Sequence, residues 1–200
     1  PEEPHDFSPD HMTLQNGFSG NQTEGGEYTM GMAYLTSWQG PVNEEDDPYG
    51  DGVSEEGLEP VKHVQEMQLL DGKDFEKIKE SVFKYGGVQT AIYSALNSSE
   101  PYSPYYNSEK YAYCYAEKPN HEIMIIGWDD NYPKENFLME VEDDGAFLCQ
   151  NSWGKGFGDD GVFYVSYYDV NIGLHGVVYT RIDETDNYGR IYQSDLCGWV

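Results

Sequence analysis

Apolar residues recur at helical spacing in two stretches of the chain. Met30, Ala33, Tyr34, Ser37 and Trp38 fall at i, i+3, i+4, i+7 and i+8, which puts one mostly apolar face on a helix that stops at Gly40-Pro41. Phe75, Ile78, Val82 and Tyr85 keep the same spacing. Asp74 stands where it caps that second helix, Lys84 sits near its negative end, and Gly86-Gly87 ends it. After Gly87 the period shortens. Residues 88–96, 121–128, 146–153, 162–168 and 176–182 are rich in Val, Ile, Tyr and Phe between turn clusters, the signature of strands in an antiparallel sheet or barrel. The polar, turn-rich residues 1–22 read as loop, the breaker-rich residues 40–60 as a long crossing loop, and residues 97–120, with Pro101 and Pro104, as an irregular connection.

Composition narrows the classes of function. The 200 residues carry 38% hydrophobic and 15% aromatic content, which suits one globular domain or two lobes sharing an interface. Lys+Arg 11 against Asp+Glu 37 gives a net charge of −26, which repels phosphate backbones and anionic membranes at long range and argues against nucleic acid as a partner. The acidic residues gather where turns are expected, as in Glu44-Glu45-Asp46-Asp47, and read as a solvated surface rather than a cation site. No apolar run approaches the length that spans a bilayer, and Pro1-Glu2-Glu3-Pro4 has no feature of a signal peptide. Cys114, Cys149 and Cys197 are odd in number and irregular in spacing, which builds neither a disulfide framework nor a zinc site. No metal and no cofactor is expected.

Two segments carry chemistry. His121 opens the nearly all-apolar run Glu122 to Trp128, and by itself reads as a structural histidine; Ile125 stands where a metal-binding His-Glu-x-x-His would need its second histidine. Downstream, Asn151-Ser152-Trp153-Gly154 is followed by Gly156 and Gly158, by itself a tight turn with a packed tryptophan. Taken together and in this order, the two segments resemble the His and Asn segments of papain-like cysteine peptidases. The resemblance implies that His121 is the general base and acid, that Asn151 orients it and that Trp153 shields the pair from water. Gly25-Gly26 resembles the family's glycine pair that hydrogen-bonds the substrate backbone as an added strand, and Ala91 matches a residue lining a side-chain pocket. Within the family, Gly127-Trp128-Asp129-Asp130-Asn131-Tyr132, Ser166-Tyr167-Tyr168-Asp169 and the run from Asn187 to Asp195 are closest to a secreted or surface branch in which a lectin-like domain follows the peptidase.

The family's nucleophile segment, Gln-Gly-x-Cys-Gly-x-Cys-Trp, is nowhere in these residues. Cys149 lies two residues from Asn151 on a strand, hence on the same face, but has no helix terminus to activate it and reads as a small core residue; Cys114 and Cys197 lack any scaffold for a nucleophile. The resemblance therefore implies an α+β, two-lobe papain-like fold with a truncated helical lobe and a largely complete antiparallel, barrel-like β lobe. The expected boundaries are 1–60 for the rest of the helical lobe and the crossing loop, 61–182 for the β lobe, and 183–200 for a tail leading toward a lectin-like module. The implied function is a cysteine-type endopeptidase domain, inactive by itself, whose partners are a peptide or protein substrate and the missing N-terminal segment of its own domain. An extracellular or cell-surface location follows from the same resemblance. The alternative is a non-catalytic surface protein that binds peptides or glycans on a peptidase scaffold.

Overall fold

The computed structural model describes residues 5–18, 22, 25–94, 105–115 and 118–192. The chain divides into two compact units, Pro1–Met67 with Thr180–Val200, and Gln68–Tyr179.

In the first unit, residues expected to be loop contain a helix, α1 (Pro9–Leu14). Its cause is local: the Ser8 hydroxyl accepts the His11 N–H at 3.0 Å, and Pro9 occupies the first helical position, where its missing N–H costs nothing. The second helix, α2 (Tyr28–Thr36), stops short of Trp38, which adopts a positive φ of 58°. Tyr34 is the residue that α2 buries, at 1% exposure, and its hydroxyl meets His11 Nδ1 at 2.6 Å. Burial lowers the His11 pKa and raises that of Tyr34, and the nearby Asp47 carboxylate raises Tyr34 further. Gly40 allows this packing, because a Cβ there would lie 1.8 Å from the Tyr34 hydroxyl. The crossing loop is fastened by the fully buried Asp10, which accepts Gln22 Nε2 at 2.6 Å and the Gly50 N–H at 2.8 Å. Farther along, Trp38 stacks on His63 with ring centroids 4.1 Å apart and donates its indole N–H to the Val64 carbonyl; Asn187 Oδ1 lies 3.1 Å from His63 Nδ1. Cys197 and the last residues of the expected tail, 193–200, lie outside the described residues.

Among the described residues, eight strands form one sheet: β1 (His63–Asp71), β2 (Val88–Ile92), β3 (Tyr106–Asn107), β4 (Ala112–Tyr113), β5 (His121–Asp129), β6 (Ala146–Gln150), β7 (Val162–Ser166) and β8 (His175–Asp183). Their order is β1-β8-β2-β5-β6-β7-β4-β3. The α+β class holds, with two differences from expectation. The sheet stays open instead of closing into a barrel, and β4 runs parallel to β7, so the ladder is not wholly antiparallel. The described part of the 97–120 connection supplies β3 and β4.

The second unit packs α3 (Phe75–Tyr85) onto this sheet. Asp74 Oδ1 accepts the Lys77 N–H at 3.1 Å, and Gly86 ends the helix in the left-handed region, as the sequence pattern predicts. Its apolar stripe buries Ile78 and Val82 against Leu70, Val88, Ile125 and Phe147. Residues of segments 127–132 and 166–169 fasten the loops. Asp130 takes hydrogen bonds from Lys79 Nζ at 2.6 Å and Tyr167 Oη at 2.7 Å, while the fully buried Asp169 accepts the backbone N–H groups of Tyr115, Asn171 and Ile172.

Candidate active site

The site is built where β5 begins and β6 ends. The ladder β2–β5 sets Ile92 opposite His121, and Asn120 locks the end of that ladder: its N–H reaches the Ile92 carbonyl at 3.0 Å and its side-chain oxygen accepts the Ser94 N–H at 2.6 Å. On the other side of β5, β6 pairs Gln150 with Met124 and delivers Asn151 just past its end, where the Asn151 N–H bonds the Gly161 carbonyl at 3.0 Å. The following turn needs glycine at 158, because a Cβ there would sit 2.1 Å from the Val162 carbonyl oxygen and φ is +60°.

His121 Nε2 and Asn151 Oδ1 are 2.9 Å apart. The same Oδ1 accepts the Ser152 backbone N–H at 2.8 Å. A backbone N–H only donates, so this atom is the amide oxygen, and an amide oxygen only accepts. Nε2 therefore carries the proton in the neutral imidazole, and Nδ1 is left with the lone pair. Asn151 is buried and His121 half-buried, which orients the ring while keeping it open to solvent. Trp153 lies over the pair with its ring centroid 5.1 Å from that of His121, and is itself braced edge-on by the buried Phe157 at 5.1 Å. The arrangement supplies a base at a fixed nitrogen, with its second nitrogen held by a neutral acceptor that stabilises the protonated ring without adding charge.

The other expected positions fall elsewhere. Gly25 and Gly26 belong to the first unit, are exposed, and make no backbone hydrogen bond to a described residue. Ala91 pairs with Glu122, one step from the Ile92–His121 pair, so it projects from the sheet face opposite the imidazole. On that face Glu122 Oε2 accepts Gln89 Nε2 at 3.3 Å, and Gln89 Oε1 accepts the Tyr179 hydroxyl at 3.3 Å; burial, then the Glu122 charge, pushes the Tyr179 phenol up to about 12. This polar chain, like the Asn120 lock, has no pattern in the sequence; each depends on strand register. Both described cysteines, Cys114 and Cys149, are buried. Cys149 is fully buried in the core, which drives its thiol well above the ordinary range, and burial followed by the nearby Asp169 charge pushes Cys114 up to about 12. Among the described residues, no group of three or more His, Cys, Asp or Glu side chains is placed to hold a metal ion, and no helix is long and apolar enough to cross a membrane.

Comparison with known proteins bears directly on this geometry. The family model described as papain family cysteine protease matches residues 6–181. The chain is 28% identical over 163 residues to cathepsin B-like protease 1 of Arabidopsis thaliana, covering 70% of this chain and 39% of that protein. Its fold matches the crystal structure of the cysteine protease and lectin-like domains of Cwp84, a surface layer associated protein of Clostridium difficile, with a TM-score of 0.79 and 27% identity, over 91% of this chain and 43% of that one. Bromelain protease of Ananas comosus shares the fold at a TM-score of 0.62 and 14% identity, over 88% of this chain and 78% of that one. The chain thus spans about two fifths of the length of the first two proteins.

Proposed function

The chain belongs to the papain family of cysteine proteases, and on that premise we propose that it supplies the base, the orienting amide and part of the substrate cleft of a cysteine endopeptidase whose thiol lies outside Pro1–Val200. The observation that carries this reading is the doubly occupied Asn151 oxygen, which leaves His121 Nδ1 as the basic nitrogen. In the complete site Nδ1 takes the proton of a cysteine thiol, and the thiolate attacks the scissile carbonyl carbon, opening its double bond to an oxyanion. As the oxyanion collapses, the C–N bond breaks and the imidazolium returns the proton to the departing amine. Water, deprotonated by the same nitrogen, then attacks the thioester and releases the carboxylic acid and the thiol. Asn151 holds the ring through each of these proton transfers, and Trp153 keeps water from competing for the bond. Gly26 contributes its backbone to the substrate, and Ala91 walls a side-chain pocket on the sheet face that carries Glu122, not the face of the imidazole.

Both described cysteines are buried, and Cys197 stands in no nucleophile motif; on this reading the chain by itself is inactive toward peptides, since loss of a nucleophile removes on the order of a millionfold in turnover. The thiol comes from an upstream cysteine-bearing segment or from a separate polypeptide. The similarity to Cwp84 supports a secreted or cell-surface setting and a lectin-like module as neighbour. The test is to join the chain to such a segment and measure cleavage of a fluorogenic peptide. Thiol-dependent activity abolished by His121→Ala supports the proposal. A folded assembly that stays inert toward peptides and thiol-reactive probes overturns it in favour of a scaffold that binds without cleaving.

A further inference from the structure

The connection between β5 and β6, residues 130–145, carries a groove of about 380 Å³ at the end of the hairpin remote from His121 and Asn151. His121 opens β5 and Asn151 follows β6, whereas the Asp129–Ala146 pair closes the hairpin at its other end, roughly 25 Å away along the strand. The groove is therefore separate from the candidate active site. Its lining combines Phe137, Leu138, Met139 and Val141 with Glu135 and Glu140.

Hydrogen bonds within and around the connection hold it in place. Lys134, in a single 3-10 turn (Lys134–Asn136), donates its N–H to the Asp144 carboxylate at 2.9 Å and its ammonium to the Glu142 carbonyl at 3.1 Å. The Gly145 N–H reaches the Tyr132 carbonyl at 2.9 Å, and Asn107 Nδ2 donates to the Asn136 carbonyl at 2.8 Å. Phe137 is the anchor, buried with Tyr132, Cys114 and Ala146. The groove is thus preformed, which lowers the ordering cost of binding. Leu138 stays 54% exposed beside it, and Met139 and Val141 are half-buried. One exposed leucine is ordinary. Apolar groups gathered in a fixed groove, more than twice the size of an apolar cavity of about 150 Å³ that holds benzene, make a seat for a side chain.

Charge decides what that side chain belongs to. Lys134 is the one basic residue in 129–144, against acidic residues at 129, 130, 135, 140 and 142–144, and its ammonium is engaged within the connection. Asp129, Asp130, Asp143 and Asp144 accept hydrogen bonds from the protein itself. Glu135 and Glu140, both exposed, form no ion pair with a described residue. We propose that the groove docks a segment of a partner protein in which an apolar side chain is flanked by Lys or Arg. The apolar group lies against Leu138 and Met139, whose thioether adapts to its shape, and the cations meet Glu135 and Glu140. An acidic segment is repelled by these carboxylates at the groove and by the net charge of −26 at long range. Docking there requires no thiol.

The experiment uses the 200-residue chain at low ionic strength, with N-acetyl-Lys-Phe-Lys-amide as the probe. Its six methionines carry ¹³C at the methyl group, and Met139 is assigned by Met139→Leu. The probe is expected to shift the Met139 signal to saturation, and N-acetyl-Glu-Phe-Glu-amide to leave it in place. N-acetyl-Lys-Ser-Lys-amide and spermidine, which bring charge without the apolar group, are expected to bind roughly tenfold more weakly. Leu138→Ser, at an exposed position, is expected to raise the dissociation constant of the probe roughly tenfold. Glu135→Gln combined with Glu140→Gln is expected to raise it about fivefold and to flatten its salt dependence. Circular dichroism verifies that both variants are folded. An unmoved Met139 signal, equal affinity for spermidine or the serine peptide, equal affinity for the acidic peptide, or undiminished binding in folded Leu138→Ser each overturn the inference. Because Met139 lies in the groove and far from His121, a peptide held only at the candidate active site leaves its signal in place, so docking and cleavage stand or fall separately.

Discussion

Replacing Asn151 by alanine removes one oxygen that serves two donors, His121 Nε2–H at 2.9 Å and Ser152 N–H at 2.8 Å. The amide itself is buried, but His121 is half-buried and Ser152 exposed, so water reaches both donors once the side chain is gone. Each lost bond then costs about 0.5–1.5 kcal/mol, below the roughly 1–3 kcal/mol of a donor stranded without water. The sum, about 1–3 kcal/mol, lowers the urea midpoint of the isolated chain without changing the slope. Tautomer balance is the more specific readout. With Oδ1 present, Nε2–H is favoured by the worth of one hydrogen bond; without it, ¹⁵N spectra of histidine-labelled protein show the Nδ1–H form emerging at His121, assigned among the five histidines by His121→Gln. In an assembled, active enzyme the same loss lowers kcat/KM by about tenfold for every 1.4 kcal/mol. If Asn151→Ala changes stability by less than about 0.5 kcal/mol, the scale of an ordinary surface substitution, and His121 keeps a single Nε2–H tautomer, then Asn151 does not hold the imidazole and the proposed division of roles is wrong.

Three other substitutions test different parts of the molecule. Gly40→Ala drives a Cβ to 1.8 Å from the hydroxyl of the 1% exposed Tyr34 and is expected to cost about 1–3 kcal/mol by overpacking; Tyr34→Leu in the same chain recovers part of the loss, and strictly additive melting shifts refute the clash. In a Cys197→Ser background, Cys114 and Cys149 are expected to resist Ellman's reagent in mildly alkaline buffer until urea unfolds the chain. The reason is that raised thiol pKa values leave almost no thiolate, and rapid labelling of the folded protein would contradict the burial of both. Asp130 is held below the usual carboxylate range by its hydrogen bond from Lys79, then by that from Tyr167, so its contribution is present above the unfolded value of about 3.9 and is lost as pH falls through the depressed folded value. Lys79→Met should therefore lower the urea midpoint slightly near neutral pH, by about 0.2–1 kcal/mol for so exposed a pair, and not at all once Asp130 is protonated in both states; equal losses at both pH values assign the effect to packing.

The elements legible in the sequence are those whose burial follows a simple period. α3 shows its stripe, its Asp74 cap and its terminal glycine because it lies on the core with one face to solvent. β5 is visible as an apolar run because it is flanked on both sides, by β2 and β6. β1 is not visible, although it has nine residues, because it is the edge strand: Gln65, Glu66 and Gln68 interrupt it, Leu69 is 54% exposed, and no alternation survives. α1 is not visible either, because its six residues are too few to display a helical repeat. Trp38 carries the spacing of α2 beyond its true end, since its burial comes from stacking on His63 and not from the helix face.

The candidate site divides along the same line. His121, Asn151 and Trp153 are legible because the chemistry demands particular residue types next to particular turns, and the structure brings these three within contact. Which imidazole nitrogen is the base is not legible, as it depends on Ser152 N–H fixing the Asn151 amide, a contact between neighbours that leaves no trace in composition. The approach of α1 to α2 is further out of reach: α1, itself unseen in the pattern, carries Met12 Sδ to within 3.6 Å of where a Gly31 Cβ would stand. In the sequence, Gly31 is a helix-weakening residue with no evident purpose. In the structure a Cβ there would meet Met12 Sδ at 3.6 Å, an ordinary contact, so Gly31→Ala is expected to raise the urea midpoint, gaining about 1 kcal/mol through helix propensity, and an unchanged or lowered midpoint would refute the reasoning.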